Sequence, residues 1–598
     1  MTIASPPEVA GDDEMASSKP TGDSPRWRNW IIGCLVALVL LAPIPKMLTT
    51  AATSMEEGSL LEYPTLALHG EIPTKAYWTE YGPLNVWVPA GAYELTGPSV
   101  LVERLVGLAY RAVLLFSLFS LLKRYSRPGA VGGVLISWLI LAPFGAIAYS
   151  WIAGLAFGLA GLAVLTAALD DAEPRRARVV AGGLLLGIAL SFRPDMILGV
   201  GLGAVLLLRR RKHQKIQSLV GIAIGVLPLG ALVLLAGFHD AITNLVIDPI
   251  FNLRAGRHLP VPPPTRAVGE YFTRIEAWTT AATRWPGQAP AVQLASFFWV
   301  VVIAGVILVA SMVVIRRRAE AKTWIPFMGF ALFLAPQLVQ RCDLNHMRFV
   351  GVVWLAALPT AVLLLAGTRA AKPGRLAVEA SVGVGLALFL AAPFFQVQAF
   401  AEMFPGLGRP VSIPGSVVHH AGRSIPTGSA HESRAINRLL GILDRIPPSR
   451  YPGGIRFIEG PADLRLTNYS ETWMYWLEPT MIPATYYLEM NPGISNATNS
   501  RLAGELGHAD LLVLSDRYNA FSEPNASVIP GNPAPNRVVE QHYCELASTD
   551  WYHVLIHRPE LLRPADLPPS ERVVVGGHPE ARCSALTTSG SSANTALQ

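Results

Sequence analysis

Long apolar runs recur along most of this 598-residue chain and constrain its fold more than any other feature. A run of about 20 apolar residues is long enough to cross the hydrocarbon core of a bilayer as a helix. Such runs occur at 30–48, 100–122, 129–148, 151–169, 217–237, 292–315, 324–340, 348–366 and 376–397. The sequence therefore predicts a polytopic α-helical membrane protein.

One further apolar stretch, 179–208, contains Arg193-Pro194-Asp195 at its middle. Charged residues beside a proline are costly at the centre of a bilayer. We therefore interpret this stretch as two short helices that meet at an exposed or protein-lined tip. Together with the uninterrupted runs, it brings the prediction to about eleven transmembrane helices.

The composition agrees with a membrane protein. Only 15% of the residues are charged, whereas a soluble globular protein has about 25%. This deficit excludes a disordered chain, a nucleic-acid-binding module and an ordinary cytosolic enzyme, so we expect membrane lipids and no nucleic acid as partners. With four cysteines, the chain has no disulfide framework, although Cys544 and Cys583 could pair.

Basic residues cluster in alternate loops between the apolar runs, all on the side of the N-terminus. The clusters lie within 123–127, 175–178, 209–215, 316–322 and 369–375. The positive-inside rule makes that side cytoplasmic. We therefore predict a multi-pass protein of the inner (plasma) membrane, with a cytoplasmic N-terminus and an extracytoplasmic C-terminal domain.

The topology sets the predicted domain boundaries. An amphipathic helix at 432–446 and β-rich runs at 455–459 and 511–515 predict that the C-terminal domain is α/β. The predicted parts are a disordered cytoplasmic tail (1–28), a transmembrane domain (29–398) with outer loops 49–99 and 238–291, an extracytoplasmic α/β domain (399–565) and a disordered tail (566–598).

The first outer loop is rich in carboxylates that lie close to the predicted membrane surface. They are Glu56, Glu57, Glu62, Glu71, Glu80 and Glu94, with several aromatic residues between them. A carboxylate at this boundary can act as general base on a hydroxyl or hold a divalent cation. The alternative is that these acids are plain solvated surface.

The order of short motifs in this loop carries a resemblance to a known family. Glu56-Glu57-Gly58 follows the first span, Tyr81-Gly82-Pro83-Leu84 comes next, and Glu103-Arg104 opens the second span. This order resembles the polyprenyl-phosphate-sugar-dependent glycosyltransferases of the GT-C fold, near the protein O-mannosyltransferase and lipid A aminosugar transferase branches. The segment 183–194 is similar to a paired short-helix segment of that family.

Two departures from the family pattern affect the expected site. Glu56-Glu57 stands where the family has Asp-Glu, which leaves open which of the two is the base. No tyrosine follows Pro73 directly, where the family's Gly-x-x-Pro-Tyr stretch has one.

The resemblance implies an enzyme that transfers a sugar from a polyprenyl-phosphate donor to a glycan, lipid or protein acceptor, with inversion at the anomeric carbon. Glu56 or Glu57 would then be the base. The departing phosphate needs positive charge, and guanidinium groups match its oxygens bidentately. The predicted outer-side arginines are Arg193, Arg254, Arg257, Arg341 and Arg348.

Two further expectations concern the acceptor and a metal. Tyr81, Trp473 and Trp476 could stack on acceptor sugars, the alternative for the tryptophans being the core of the C-terminal domain. The ligands of a divalent cation, Mg²⁺ or Mn²⁺, would be Glu57, Asp343 and His346.

Two other classes of function compete with an enzyme. A transporter or flippase of lipid-linked glycans should carry charged residues within its spans and inverted repeats. The sequence offers only Arg111 and the Arg193/Asp195 tip, and no repeat. A scaffold, or a glycan ligase or polymerase, would leave the acidic first loop without a role. These features favour the glycosyltransferase.

Overall fold

The computed structural model describes residues 26–52, 54–209, 211–262, 290–367, 372–391, 416–466, 470–517, 529–557, 572–575 and 578–581. Most of both predicted disordered tails, 1–25 and 582–598, lies outside the described residues.

Helices dominate the first two thirds of the chain. In order they are α1 (Arg26–Leu41), α2 (Ile44–Thr49), α3 (Glu56–Leu68), α4 (Leu84–Thr96), α5 (Val100–Leu122), α6 (Arg127–Leu141), α7 (Ser150–Asp170), α8 (Arg176–Phe192), α9 (Ile197–Leu207), α10 (Lys212–Gly225), α11 (Leu227–Ala236), α12 (Phe238–Ile242), a π-helix (Thr243–Asn252), α13 (Leu253–Arg257), α14 (Pro290–Ile315), α15 (Ala321–Leu332), α16 (Ala335–Gln340), α17 (Leu344–Ala366) and α18 (Pro373–Ala391).

Each predicted apolar run contains a helix within the described residues. Among the described residues, seven helices are long and apolar enough to cross a membrane, or eight if the bent pair α10 and α11 is one span. α8 and α9 are shorter, and they meet at a single 3-10 turn, Pro194–Met196. The predicted pair of short helices joined at Arg193-Pro194-Asp195 is confirmed.

The surface of the helical bundle is apolar. Phe116, Leu234 and Val306 are 71%, 86% and 64% exposed, respectively, on α5, α11 and α14. Water-soluble proteins rarely expose apolar patches on this scale, which mark contact with a membrane or a partner. Together with the seven spanning helices, these surfaces identify a polytopic helical membrane protein.

The C-terminal part contains a five-stranded sheet with helices packed around it. Its elements are β1 (Val417–His420), β2 (Arg423–Pro426), α19 (Ala430–Leu443), β3 (Ile455–Pro461), α20 (Trp473–Leu477), β4 (Met481–Pro483), α21 (Leu502–Leu506), β5 (Leu511–Ser515), α22 (Ala534–His542), β6 (Cys544–Ser548) and β7 (Tyr552–Ile556). The strand order is β4-β3-β5-β7-β6. β3 is parallel to β4 and β5, whereas β7 is antiparallel to β5 and β6.

Regular secondary structure continues past residue 565, the predicted end of this domain. Two short strands, β8 (Arg572–Val575) and β9 (His578–Ala581), pair as an antiparallel hairpin within the predicted tail. Cys544 is disulfide-bonded, and its expected partner Cys583 lies outside the described residues.

The C-terminal α/β unit shares a hydrophobic core with α3 and α4 of the first loop. Leu61 and Tyr63 of α3 and Val86 of α4 are buried in one cluster with Ile436 and Trp476 of the α/β unit. At Gly58, a Cβ atom would lie 2.2 Å from the backbone nitrogen of Trp473. The first loop and the C-terminal unit are therefore packed backbone against backbone at the start of α3.

Because of this close approach, we expect Gly58→Ala to lower the free energy of unfolding of the purified protein by about 1–3 kcal/mol, the usual cost of overpacking. The melting temperature should fall accordingly. Gly91→Ala is the matched control, because Gly91 also lies within a helix but has nothing within 4 Å of its Cβ position. Differential scanning calorimetry of both variants in detergent measures the melting temperatures. Equal melting temperatures for the two variants would contradict the close packing.

Candidate active site

Glu56 and Glu57 are the first two residues of α3, and their side chains lie in different environments. Glu57 is fully buried and forms a bidentate ion pair with Arg104 of α5, at 2.7 Å from Nε and 3.0 Å from Nη2. Arg104 also donates to the carbonyl of Leu48, 2.8 Å away. Glu57 thus ties α3 to the start of α5, whereas Glu56 lines a cavity.

The cavity, with a volume of about 390 Å³, lies where spanning helices begin and end. The basic clusters of the sequence are at the opposite ends of these helices. Its polar lining comes from six separate segments of the chain. These residues are Glu56, Glu80, Tyr81, Tyr149, Arg193, Asp195, Arg257, His258, Gln337, Gln340, Arg341, Asp343, Asn345 and His346.

Arg193 stands at the junction of α8 and α9 and is 16% exposed at its side chain. It pairs with Asp195, with Nε and Nη2 at 2.8 and 2.6 Å from the two carboxylate oxygens. Its guanidinium also lies over the ring of Tyr81, 5.6 Å from the centroid. The tip predicted between the two short helices is therefore a wall of the cavity.

Gly82 explains why Tyr81 reaches this tip. The Gly82 amide donates to the carbonyl of Phe192 at 3.1 Å. A Cβ at Gly82 would lie 2.2 Å from the carbonyl oxygen of Ser191. Only glycine allows this approach, so the Tyr81-Gly82-Pro83 motif docks the first loop against the end of α8. Burial, the largest influence, and the nearby Glu80 raise the pKa of Tyr81, so its phenol stays protonated.

Arg257 follows the π-helix and enters the cavity from the second loop. It donates to Glu80, 2.6 Å away, and to the side-chain oxygen of Asn491 in the C-terminal unit. Burial tends to raise the pKa of Glu80, but Arg257 outweighs it and the pKa is lowered. Glu80 is therefore ionised, and the pair remains charged at neutral pH.

Arg341 and Asp343 form the third arginine–carboxylate pair, in the turn between α16 and α17. Arg341 Nε lies 2.5 Å from Asp343, and both side chains are more than nine-tenths buried. Asp343 also caps α17, because it accepts from the amides of Asn345 and His346 at 2.8 and 3.0 Å. Burial opposes ionisation of Asp343, but His346 and Arg341 outweigh it and lower the pKa.

The C-terminal unit holds the cavity loops in place. Tyr486 donates to the carbonyl of Thr74 at 2.7 Å and accepts from Asn244 at 2.7 Å. Trp78 donates its indole N–H to Asp248 of the π-helix at 3.0 Å. The first loop, the π-helix and the C-terminal unit therefore meet in one hydrogen-bonded junction beside Arg257.

Several predicted site residues lie elsewhere. Arg348 is buried within the bundle with its guanidinium 4.7 Å from the ring centroid of Phe144, and it does not line the cavity. Trp473 and Trp476 are 3% and 1% exposed in the core shared with α3, so they cannot stack on an acceptor there. The backbone of Arg254 belongs to α13, and its side chain is not described.

The predicted metal ligands do not fit a cation. Glu57 holds Arg104 with both carboxylate oxygens. Asp343 is occupied by Arg341 and by the amide and ring of His346, whose Nδ1 is 2.9 Å away. In the part of the chain that the structure describes, a His/Asp/Glu group compact enough for a metal occurs at His420, Asp444 and Glu478 instead.

Glu80, Tyr149 and Asp195 line the cavity but were not assigned to the site from the sequence. Glu80 precedes Tyr81 and Asp195 follows Pro194, so their position next to predicted site residues was the available signal. Asn491 had no such signal, because it comes from a distant domain.

The fold and the cavity define a polytopic helical membrane protein with a charged cavity at one end of the bundle, and an α/β unit packs against the loops beside that cavity. No family model matches the chain, and no curated protein matches it either.

Solved structures do match the chain. It is similar to ArnT from Cupriavidus metallidurans bound to undecaprenyl phosphate, with 14% identity and a TM-score of 0.45 over 90% of this chain and 99% of that one. It is also similar to the Archaeoglobus fulgidus oligosaccharyltransferase in complex with Zn and sulfate, with 11% identity and a TM-score of 0.49 over 88% and 72%. Both matches are at low sequence identity.

Proposed function

We propose that this protein is a membrane glycosyltransferase that moves a sugar from a polyprenyl-phosphate donor to a glycan, lipid or protein acceptor. The observation that carries the proposal is the cavity in which Glu56 is brought together with Arg193, Arg257 and Arg341. Cations for a lipid phosphate and a carboxylate base are the two chemical requirements of such a transfer. The apolar helix surfaces around the bundle suit a polyprenyl tail.

The reaction that suits this arrangement is a single inverting displacement. Glu56 accepts the proton of the acceptor hydroxyl while the oxygen of that hydroxyl forms a bond to the anomeric carbon of the donor sugar. The bond from that carbon to the phosphate oxygen breaks on the opposite face, and polyprenyl phosphate leaves with the electron pair. Charge develops on the departing phosphate, where the arginines stabilise it.

The arginine–carboxylate pairs are compatible with phosphate binding. A guanidinium has five N–H donors, so one carboxylate does not exhaust it. Asp195 and Glu80 fix the orientation of Arg193 and Arg257 before a donor arrives. Such preorganisation lowers the cost of orienting the cations when negative charge develops. Tyr81, beside Arg193, is placed to contact a sugar in the same cavity.

The positive-inside rule supports an orientation for the site. The basic clusters lie at the helix ends opposite the cavity, so their side is cytoplasmic and the cavity opens on the outer face of the membrane. We therefore propose that the protein lies in the inner (plasma) membrane, with the site and the C-terminal α/β unit on its extracytoplasmic side. The acceptors would then be envelope molecules.

Arg193→Gln is expected to weaken binding of polyprenyl phosphate by about 10- to 100-fold, because a charge-assisted hydrogen bond contributes about 1.5–3 kcal/mol. Arg178→Gln is the matched control, since Arg178 also pairs with an aspartate, Asp171, at 3.0 Å but lies in a basic cluster at the other end of the bundle. Affinity is measured by quenching of tryptophan fluorescence, to which Trp151 of the cavity wall contributes. Equal affinities of Arg193→Gln and the unsubstituted protein would remove Arg193 from the donor site.

The proposed function is tested in cells by deleting the gene and comparing lipid-linked sugars and envelope glycans by mass spectrometry. We expect one polyprenyl-phosphate sugar to accumulate and one sugar to disappear from an envelope glycan, lipid or protein. A flippase would instead leave a lipid-linked glycan on the cytoplasmic side. Unchanged lipid-linked sugars and unchanged envelope glycans would refute the transferase.

A further inference from the structure

A second group of metal-binding side chains lies in the C-terminal unit, outside the cavity. His420 ends β1, Asp444 caps the end of α19 and Glu478 caps the end of α20. His420 Nε2 lies 3.0 Å from Glu478 Oε1 and 3.7 Å from Asp444 Oδ1. All three donor atoms lie within 4.8 Å of one another.

The environment of Glu478 points to a ligand at this position. Its side chain is 2% exposed, and Oε1 makes no hydrogen bond within the part of the chain that the structure describes. His420 Nε2 lies 3.0 Å from that oxygen and forms an ion pair with it when the imidazole is protonated. A buried carboxylate is costly unless its charge is compensated, and a bound cation would supply that compensation whether or not His420 is protonated.

The donor set selects among cations. One imidazole nitrogen with two carboxylate oxygens suits Zn²⁺, whereas Mg²⁺ and Ca²⁺ prefer oxygen ligands alone. Tetrahedral Zn²⁺ with bonds of about 2.0–2.1 Å separates its ligand atoms by about 3.3 Å. The distances from His420 to Glu478 and Asp444 lie on either side of this value. Asp444 is 61% exposed, so a cation can enter from solvent and keep a water ligand.

We propose that His420, Asp444 and Glu478 bind one Zn²⁺ ion. This inference goes beyond the proposed glycosyl transfer, and it concerns a site unrelated to Glu57, Asp343 and His346. The ion would join three elements that are separate in sequence: the β1–β2 hairpin, α19 and α20.

The metal would stabilise the contact between the C-terminal unit and the first loop. Arg423 of β2 lies over the ring of Trp476, 5.1 Å from its centroid, and donates to the Trp476 carbonyl. At the start of α20, the amide of Trp473 donates to the carbonyl of Ser54 at 3.3 Å. A Zn²⁺ ion at the end of α20 would therefore fix the helix against which α3, with Glu56, is packed.

Zn²⁺ binding is measured on the full-length protein in detergent, purified with a tag free of histidine and stripped with a chelator. Isothermal titration with ZnCl₂ and metal analysis after dialysis are expected to give one Zn²⁺ per chain. His420→Ala and Glu478→Gln should each weaken binding by more than about 100-fold, since loss of an outer-shell partner alone typically costs 10- to 100-fold. His419→Ala is the matched control, because His419 is exposed on the same strand and pairs with Ser424.

A melting temperature that rises with Zn²⁺ in the unsubstituted protein and in His419→Ala, but not in Glu478→Gln, would support the site. Glu478→Gln keeps the size of the side chain, so this variant tests binding even if His420→Ala fails to fold. The proposal is overturned if the unsubstituted protein binds no Zn²⁺, or if Glu478→Gln binds it as tightly as the unsubstituted protein. Neither result depends on sugar transfer, so the two proposals fail separately.

Discussion

Glu56→Gln is expected to reduce sugar transfer by about 10²- to 10⁴-fold while leaving the protein folded and able to bind donor. The amide keeps the size of the side chain but cannot accept the proton of the acceptor hydroxyl. Glu56 is half-buried at the cavity wall and at the first turn of α3, so its loss should cost little stability. Initial rates of the purified variant, measured at saturating donor and acceptor, give the effect.

The matched control for this variant is Glu71→Gln. Glu71 belongs to the same acidic loop but is exposed and does not line the cavity. We expect its transfer rate to stay within about twofold of the unsubstituted protein, because surface substitutions usually change little. If Glu56→Gln and Glu71→Gln both retained full activity, Glu56 would not be the base.

Glu57→Gln is expected to act on stability, with a cost of about 3–5 kcal/mol, the usual result of breaking a buried ion pair from one side. Glu57 and Arg104 are both fully buried, and the variant leaves the guanidinium of Arg104 without its carboxylate. Denaturant-induced unfolding in detergent, followed by circular dichroism, measures the change. The loss of activity should parallel the loss of folded protein.

An exposed ion pair provides the control for Glu57→Gln. Glu379 pairs with Arg375 at 2.7 Å, and both side chains are more than half exposed. Glu379→Gln should cost less than about 1 kcal/mol, because exposed ion pairs contribute little. Similar unfolding curves for Glu57→Gln and Glu379→Gln would show that the Glu57–Arg104 pair does not hold α3 to α5. A stable but inactive Glu57→Gln variant would instead favour Glu57 as the base.

The contrast between Glu56 and Glu57 shows where sequence reasoning stops. Successive residues of a helix point about 100° apart, so two adjacent glutamates at the start of α3 face different surroundings. The sequence predicts that one of the two glutamates is the base but does not indicate which one. The choice depends on Arg104 of α5, which only the folded chain places beside Glu57.

The positions of the arginines were also predictable only where the local sequence determines them. Arg193 was predicted at a tip from its proline and its place between two apolar halves, and the structure has it there. Arg341 and Arg348 are seven residues apart in one segment, yet Arg341 precedes the cap of α17 and lines the cavity, whereas Arg348 lies inside the bundle. Helix boundaries of this kind depend on capping by Asp343, which apolar periodicity does not reveal.

The tryptophans and the domain contacts depended on tertiary structure. From the sequence, Trp473 and Trp476 suit either an acceptor platform or the core of the C-terminal domain, and both lie in the core. Aromatic residues suit both roles equally, so composition could not separate them. The contact between Asn491 and Arg257 joins positions more than 200 residues apart, and no local pattern indicates it.

The central claim is tested most directly by the fate of the donor lipid. Purified protein in nanodiscs is incubated with a panel of polyprenyl-phosphate sugars and acceptor membranes, and the lipids are separated by mass. We predict that one donor is converted to polyprenyl phosphate by the unsubstituted protein and by Glu71→Gln, but not by Glu56→Gln. A panel left intact by the unsubstituted protein, or equal conversion by Glu56→Gln, would contradict the account.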